Sequence, residues 1–181
     1  MLFKRDYFTL NEIALMSLLG GLVFVMLMAL RMPLHIPGHT GIFMVIPVII
    51  GVAIIQKPGS GTYIGLVAGV LLSFFGVSAL HVFDVFQYTA LGMVTDIIGY
   101  SFRYRMDLTP VSVLAGIAGN LAKMLVNFAV NLAIGIPLVV VIIEAGISSV
   151  SHTIFGALGG LISAYLIARL IRTGVITRNA D

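Results

Sequence analysis

The sequence predicts an all-α membrane protein with six transmembrane helices and both termini in the cytoplasm. Of its 181 residues, 60% are hydrophobic and only 9% are charged, and the uncharged runs fall into six long segments. A soluble domain would carry roughly 25% charged residues to cover its surface. The composition therefore excludes a soluble globular enzyme and a disordered chain. Because the sequence has no cysteine, it also excludes a disulfide framework, a thiolate nucleophile and a zinc–thiolate site.

Charges and turn residues set the limits of the first three spans, predicted at about residues 11–31, 41–56 and 62–79. A spanning helix needs about 20 mostly apolar residues. Thr9 and Glu12 have the spacing of a capping box, which predicts that the first helix begins near Leu10. The first span ends at Arg31, and the turn Lys57-Pro58-Gly59 separates the second from the third.

The last three spans are predicted at about residues 83–102, 111–134 and 150–172. The fourth is interrupted by Asp84 and Asp96, and the fifth carries Lys123 as its only charge before the helix breakers Gly135 and Pro137. Six spans in 181 residues leave no room for a soluble domain. Residues 1–181 are therefore predicted to form a single integral membrane domain.

The distribution of basic residues predicts the orientation. With a cytoplasmic N-terminus, the inner segments hold Lys4, Arg5, Lys57, Arg103, Arg105, Arg169, Arg172 and Arg178, whereas the outer loops hold only Arg31. Cytoplasmic loops of membrane proteins are enriched in Lys and Arg. The net charge of +3 therefore reflects topology and does not indicate a nucleic-acid-binding surface.

Ionisable groups inside the spans need partners, because charge is costly in a membrane. In the fifth span, Asn120, Lys123, Asn127 and Asn131 are spaced to share one helix face. By rise per residue, Lys123 is predicted near the midplane of the membrane and Asp96 of the fourth span somewhat below it, within reach of a flexible lysine side chain. We expect an interior ion pair between Asp96 and Lys123. The alternative is that one of the two contacts substrate or moves in a transport cycle.

Hydrogen-bonding side chains gather on the predicted outer side, where all four histidines also fall. The predicted site is an outward-facing substrate pocket formed by His35, His39, His81, Asp84, Gln87, Tyr88, Asn127, Asn131 and His152, with Glu144 in a nearby outer loop. If the substrate carries a metal, the candidate ligands are His35, His39, His81 and His152, because imidazole commonly binds transition metals. Alternatively, each histidine is an interfacial side chain bonded to backbone or water.

Small residues recur at intervals of four in three spans. They are Ser17 and Gly21 in the first, Gly61, Gly65 and Gly69 in the third, and Gly156, Gly160, Ala164 and Ala168 in the sixth. Such spacing lets another helix approach closely. Each stripe either packs inside the bundle or docks another membrane subunit. The candidates for subunit docking are Ala14, Ser17, Gly21, Gly61, Gly65 and Gly69.

Three short segments, together with the predicted topology, resemble the substrate-binding S component of energy-coupling factor (ECF) transporters. The segment Glu12-Ile13-Ala14-Leu15-Met16-Ser17 resembles the small-residue stretch of that family's first helix, although Leu18 stands where the family repeats alanine. The segment Lys57-Pro58-Gly59-Ser60-Gly61-Thr62 is similar to a turn found in some members. The segment His35-Ile36-Pro37-Gly38-His39 is similar to the first loop that caps the substrate.

The resemblance implies a multi-pass protein of a prokaryotic plasma membrane that captures a micronutrient outside the cell. Its substrate would be a vitamin, a vitamin precursor or a metal-containing cofactor such as haem or a corrinoid. Delivery inward would need a transmembrane T subunit and two cytoplasmic ATPases. The chain would have no cofactor of its own, because ATP would be used by those partners. Metal-ion members carry histidine next to the initiator methionine, whereas this chain begins Met1-Leu2-Phe3, which argues against simple nickel or cobalt uptake.

Two other functions remain open from the sequence. One is a small intramembrane enzyme acting on a lipid, and the other is a self-contained secondary transporter. The sequence has no His-Glu-x-x-His, Gly-x-Ser-x-Gly or phosphate-binding loop motif. An ATP-driven motor is therefore not predicted within this chain. The two halves also show no convincing repeat of the kind typical of secondary transporters.

Overall fold

Six α-helices account for most of the chain in the computed structural model, which describes residues 7–29, 40–75 and 81–174. They are α1 (Leu10–Ala29), α2 (Gly41–Ile55), α3 (Ser60–Phe75), α4 (Asp84–Ser101), α5 (Thr109–Ala133) and α6 (Leu138–Arg172). A short 3-10 turn, His81–Phe83, leads into α4. The all-helical class is therefore confirmed, and each predicted span corresponds to one helix.

Among the described helices, α1, α5 and α6 are long and apolar enough to cross a membrane. Helices α2 and α3 are apolar but shorter. Neighbouring helices bury a continuous apolar core that includes Met16 of α1, Ile49 of α2 and Ile64 of α3. The cytoplasmic location of both termini remains a prediction.

Helix α6 begins at Leu138, ahead of the sixth span predicted to start near residue 150, and is 35 residues long. Residues 138–149 were expected to form an outer loop. Their sequence is mostly apolar, and no proline interrupts it after Pro137, which precedes the first turn. At 1.5 Å per residue, α6 is roughly 50 Å long, well beyond the hydrocarbon thickness of about 30 Å. Either the first turns of α6 therefore extend beyond the hydrocarbon layer, or the helix is tilted relative to the membrane normal.

The glycine stripe of α3 packs inside the bundle, so the docking interpretation of Gly61, Gly65 and Gly69 is wrong. All three glycines are buried. A Cβ atom on Gly61 would meet the carbonyl oxygen of Gly92 at 2.8 Å, and one on Gly69 would meet Val85 Cα at 2.7 Å. A Cβ on Gly65 would clash with the backbone of α4 in the same way. The stripe serves the close approach of α3 to α4.

The candidate docking residues on α1 have a different environment. Ala14 is exposed, and a Cβ on Gly21 would have no atom within 4 Å. Ser17 is half-buried, donates a 2.8 Å hydrogen bond to the Ile13 carbonyl and lies 3.3 Å from the Tyr63 hydroxyl. Ala14 and Gly21 thus leave an open face on α1, and subunit docking there remains a prediction.

The predicted capping box at the start of α1 is confirmed. The Thr9 amide donates to the Glu12 carboxylate at 2.7 Å, and the Glu12 amide donates to the Thr9 hydroxyl at 3.3 Å. Lys57 Nζ lies 2.7 Å from the same carboxylate and 3.1 Å from the Tyr7 carbonyl oxygen. Gly59 has a φ of +92°, which favours glycine in this turn. The turn between α2 and α3 is thereby tied to the start of α1.

We expect the Glu12–Lys57 salt bridge to contribute little to stability, because its side chains retain 22% and 33% of their exposure. Exposed ion pairs typically contribute about 0.2–1 kcal/mol. A double-mutant cycle with Glu12→Gln and Lys57→Met, read by unfolding in detergent, isolates this pair from the capping box. A coupling energy above about 2 kcal/mol would contradict this expectation.

The predicted Asp96–Lys123 ion pair is wrong. Asp96 is buried on α4 and accepts hydrogen bonds from the amides of Gly61 and Thr62 at 2.8 and 2.7 Å. It also accepts from the Thr62 and Ser60 hydroxyls at 2.6 and 3.3 Å. The carboxylate therefore caps α3, whose first amides lack partners within their own helix. Asp96 faces α3, and no salt bridge joins it to Lys123 within the part of the chain that the structure describes.

Candidate functional site

A cavity of about 240 Å³ lies between α4, α5 and α6. Six of its eight lining residues are polar or charged. The full lining is Gln87, Lys123, Met124, Asn127, Phe128, Glu144, Ser148 and His152. Residues four apart on a helix share a face, so Lys123 and Asn127 extend along one side of α5. Glu144, Ser148 and His152 extend along one side of α6, opposite them across the cavity.

The polar face predicted for α5 is present, but only its middle lines the cavity. Asn120 is fully buried, and its Nδ2 donates to the His152 carbonyl oxygen at 2.9 Å, which joins α5 to α6. Lys123 and Asn127 reach the cavity. Asn131 is buried one turn beyond Asn127 and does not line it.

Two side-chain amides connect α4 to α5 at the cavity wall. Gln87 Nε2 donates to Asn127 Oδ1 at 3.3 Å. Neither side chain has another hydrogen bond to a residue within the described ranges. Each amide carries both an acceptor and a donor group. The Gln87 oxygen and the Asn127 nitrogen are therefore available to accept from and donate to a bound molecule.

Lys123 brings a positive charge to the cavity and is held from two sides. Its Nζ lies 3.2 Å from the Met44 sulfur of α2 and 4.9 Å from the centroid of the Tyr88 ring of α4. An ammonium over an aromatic ring is attracted by the ring's negative face. Asp84, buried at the start of α4, adds a favourable electrostatic interaction with Lys123.

The wall formed by α6 offers hydrogen-bond acceptors. His152 is mostly buried, and its Nδ1 lies 2.8 Å from the Ser148 carbonyl oxygen. Because a carbonyl can only accept, Nδ1 carries the hydrogen, and Nε2 of the neutral ring is then an acceptor. Glu144 is half-buried, and no residue in the described part of the chain donates a hydrogen bond to it.

The structure brings together only some of the residues predicted for the substrate pocket. Gln87, Asn127 and His152 line the cavity. The others that the structure describes lie outside its lining: His81 in the 3-10 turn, Asp84 and Tyr88 on α4, and Asn131 on α5. His35 and His39 lie outside the described residues. Within residues 7–29, 40–75 and 81–174, no group of three or more His, Asp or Glu side chains is arranged to hold a metal ion.

Ser148 was not predicted, and Glu144 was predicted among the outer polar groups but not as a substrate-binding residue. Both belong to the segment of α6 that was expected to be non-helical. Their spacing of four from each other, and of His152 from Ser148, is the signal that could have found them. Read as a helix, residues 138–152 place all three on one face.

A second depression, of about 350 Å³, lies at the end of α6. It is lined by Tyr165, Ala168, Arg169, Arg172 and Thr173, all from the same stretch of chain. Most of these residues are exposed. Because one helix end forms it, this depression is a surface groove, and the cavity between α4, α5 and α6 is better suited to surrounding a small molecule.

Comparisons with known proteins point to transport. The family model described as "ABC-type cobalt transport system, permease component" matches residues 10–122. Among solved structures, the chain is similar to an S component of an ECF transporter, with a TM-score of 0.66 and 20% sequence identity over 93% of this chain and 88% of that chain. No curated protein matches the sequence. At this identity, the structural likeness shows the fold.

Proposed function

The chain belongs to the family of ABC-type cobalt transport system permease components, and on that basis we propose that it is the substrate-binding subunit of an ECF-type uptake transporter. The resemblance to S components predicted from the sequence is confirmed by the family match and the fold. The chain is accordingly a transporter subunit rather than an enzyme, which removes the lipid-modifying alternative.

The observation that carries the substrate proposal is the polar cavity between α4, α5 and α6. Pockets for drug-sized ligands are about 300–1,000 Å³, and this cavity has about 240 Å³. Its size favours a small vitamin or vitamin precursor over haem or a corrinoid. Six polar or charged side chains in its wall favour a molecule with several hydrogen-bonding groups.

Cobalt is a second candidate substrate, favoured by the family description. His152 and Glu144 share one face of α6 and offer a nitrogen and an oxygen donor. The described residues provide no cluster of three such ligands. A cobalt ion would therefore need further ligands from outside the described ranges, where His35 and His39 lie. This requirement makes a small organic molecule the first candidate.

The proposed partners are those that the likeness to an ECF transporter S component implies. The sequence has no phosphate-binding loop, and two cytoplasmic ATPases would hydrolyse ATP and act on this chain through a transmembrane T subunit. The excess of basic residues in alternate loops supports cytoplasmic termini and a cavity open toward the outside. The membrane would be the plasma membrane of a prokaryote.

Purification of the protein from its own membrane tests this function. Native mass spectrometry should find a T subunit, two ATPases and a small organic molecule, and elemental analysis should find no stoichiometric cobalt. Stoichiometric cobalt without an organic ligand would favour the second candidate. A protein that carries neither partners nor a bound substrate would contradict the uptake function.

We expect Asn127→Leu to weaken substrate retention by at least about tenfold, because it removes a donor from the cavity and the hydrogen-bond partner of Gln87. Native mass spectrometry measures the occupied fraction. Asn11→Leu is the matched control, since Asn11 is exposed on α1. Equal retention by the two variants would show that the substrate binds elsewhere.

A further inference from the structure

The cavity contains two side chains of opposite charge, Lys123 and Glu144, that do not pair with each other. The salt bridge found among the described residues joins Lys57 to Glu12, on another part of the bundle. Lys123 instead contacts the Met44 sulfur and the Tyr88 ring. Glu144 accepts no hydrogen bond from residues 7–29, 40–75 or 81–174. Each charge is thus available inside the same small space.

This arrangement is informative because Lys123 places a charge inside the helix bundle, where charge is costly and usually marks a functional position. The two groups belong to different walls, Lys123 to α5 and Glu144 to α6. Met44 and Tyr88 hold the Lys123 ammonium on its own side. Asp84 of α4 also attracts Lys123, whereas Glu144 has no basic partner among the described residues. A bound molecule that carries both charges would neutralise Glu144 and add to the neutralisation of Lys123.

We propose that the cavity selects a small zwitterion, with an acidic group against Lys123 and a cationic nitrogen against Glu144. This inference rests on the proposed uptake function and names the substrate class of that site. The acidic group would be a carboxylate or a phosphate, both of which pair well with an ammonium. The free amide groups of Gln87 and Asn127 and the His152 ring nitrogen supply uncharged hydrogen bonds beside the two charges.

The same charge pattern disfavours molecules that carry only one kind of charge. A purely anionic vitamin would leave Glu144 without a counter-charge, and a purely cationic one would leave Lys123 without one and meet its repulsion. Like-charge juxtaposition is an effective means of excluding wrong ligands. Selectivity for a zwitterion therefore needs no contact beyond those that the cavity already offers.

The test uses the full-length protein in detergent and native mass spectrometry. The co-purified molecule is identified first by fragmentation. The protein is then equilibrated with an equimolar mixture of thiamine, thiamine monophosphate and pantothenate. Thiamine is only cationic, pantothenate is only anionic, and thiamine monophosphate carries both charges. We expect a co-purified molecule with an anionic and a cationic group, and preferential retention of the phosphate ester.

Two variants assign the charges. Lys123→Met and Glu144→Gln should each reduce retention of the preferred phosphate ester by at least about tenfold. The matched controls Lys57→Met and Glu12→Gln remove the same charges outside the cavity and should bind as the unmodified protein does. Thermal unfolding of all four variants verifies that they are folded.

The outcomes separate the two proposals. If a molecule with only one kind of charge is retained best, or if Lys123→Met and Glu144→Gln bind normally, the zwitterion assignment is overturned and the uptake function stands. If the folded protein carries no molecule from its own membrane and binds none from the mixture, the uptake function itself is overturned, and the assignment with it.

Discussion

Replacing Gly92 with alanine is expected to destabilise the helix bundle by about 3 kcal/mol, whereas the same replacement at Gly21 should not destabilise it. Gly92 of α4 is buried against Gly61 of α3. A methyl group on Gly92 would overlap the carbonyl group of Gly61, and one on Gly61 would lie 2.8 Å from the Gly92 carbonyl oxygen. The obstacle on each side is backbone, which cannot turn away as a flexible side chain can.

Gly21 provides a matched control within the same protein. It is also in a helix, but an added Cβ would have no atom within 4 Å. Alanine favours the helix over glycine by up to about 1 kcal/mol, so Gly21→Ala should be neutral or slightly stabilising. Circular dichroism during unfolding in detergent measures both variants. If Gly92→Ala proves as stable as Gly21→Ala, the close contact between α3 and α4 is not a main source of stability.

Gly21→Ala also distinguishes an effect on subunit docking from an effect on helix packing. Because the added methyl group would have no atom within 4 Å, any loss of association with the proposed T subunit in this variant would reflect an altered surface rather than an unfolded bundle. Gly61, Gly65 and Gly69 cannot provide that information, since they are buried between α3 and α4. Four-residue spacing identifies a face on which helices approach closely. It does not identify the helix that approaches, and for this reason the α3 stripe could not be assigned from sequence.

Apolar runs bounded by charges and turn residues were sufficient to predict the six helices, although among those described only α1, α5 and α6 are long and apolar enough to cross a membrane. They were insufficient for α6, where residues 138–149 are apolar enough for a helix but lie beyond the length needed to cross the membrane. The residues of the candidate site likewise include some that could be predicted from the sequence and some that could not. Lys123 and Asn127 could be predicted as one face of α5, whereas Glu144 and Ser148 belong to the unexpected extension of α6.

Polar partners were harder to predict than polar positions. Asp96 and Lys123 were both expected to face the bundle interior, and both have interior contacts. Their partners differ because α4 presents Asp96 to α3, while α5 directs Lys123 toward α2 and the Tyr88 ring. Sequence gives the depth of a charge along its helix, but rotation about the helix axis and the identity of the neighbour depend on how all six helices pack.

Replacing Asp96 with asparagine should lower the free energy of unfolding by about 3 kcal/mol, an effect of the same size as that at Gly92. The two carboxylate oxygens of Asp96 accept from two amides and two hydroxyls at the start of α3. An asparagine has only one oxygen that can accept these hydrogen bonds. Its NH₂ group can only donate, so the amide or hydroxyl groups that it faces would lose their acceptor. The favourable interaction of negative charge with the helix N-terminus is lost as well.

A double-mutant cycle with Lys123 distinguishes this cap from an ion pair. Lys123→Met should change stability little, because the ammonium contacts only the Met44 sulfur and the Tyr88 ring among the described side chains. The effects of Asp96→Asn and Lys123→Met should therefore add within about 0.5 kcal/mol. The exchanged variant, Asp96→Lys with Lys123→Asp, should be no more stable than Asp96→Lys alone, since neither new side chain can reproduce the cap of α3. Recovery of stability in the exchanged variant would instead mean that the two charges pair in the membrane.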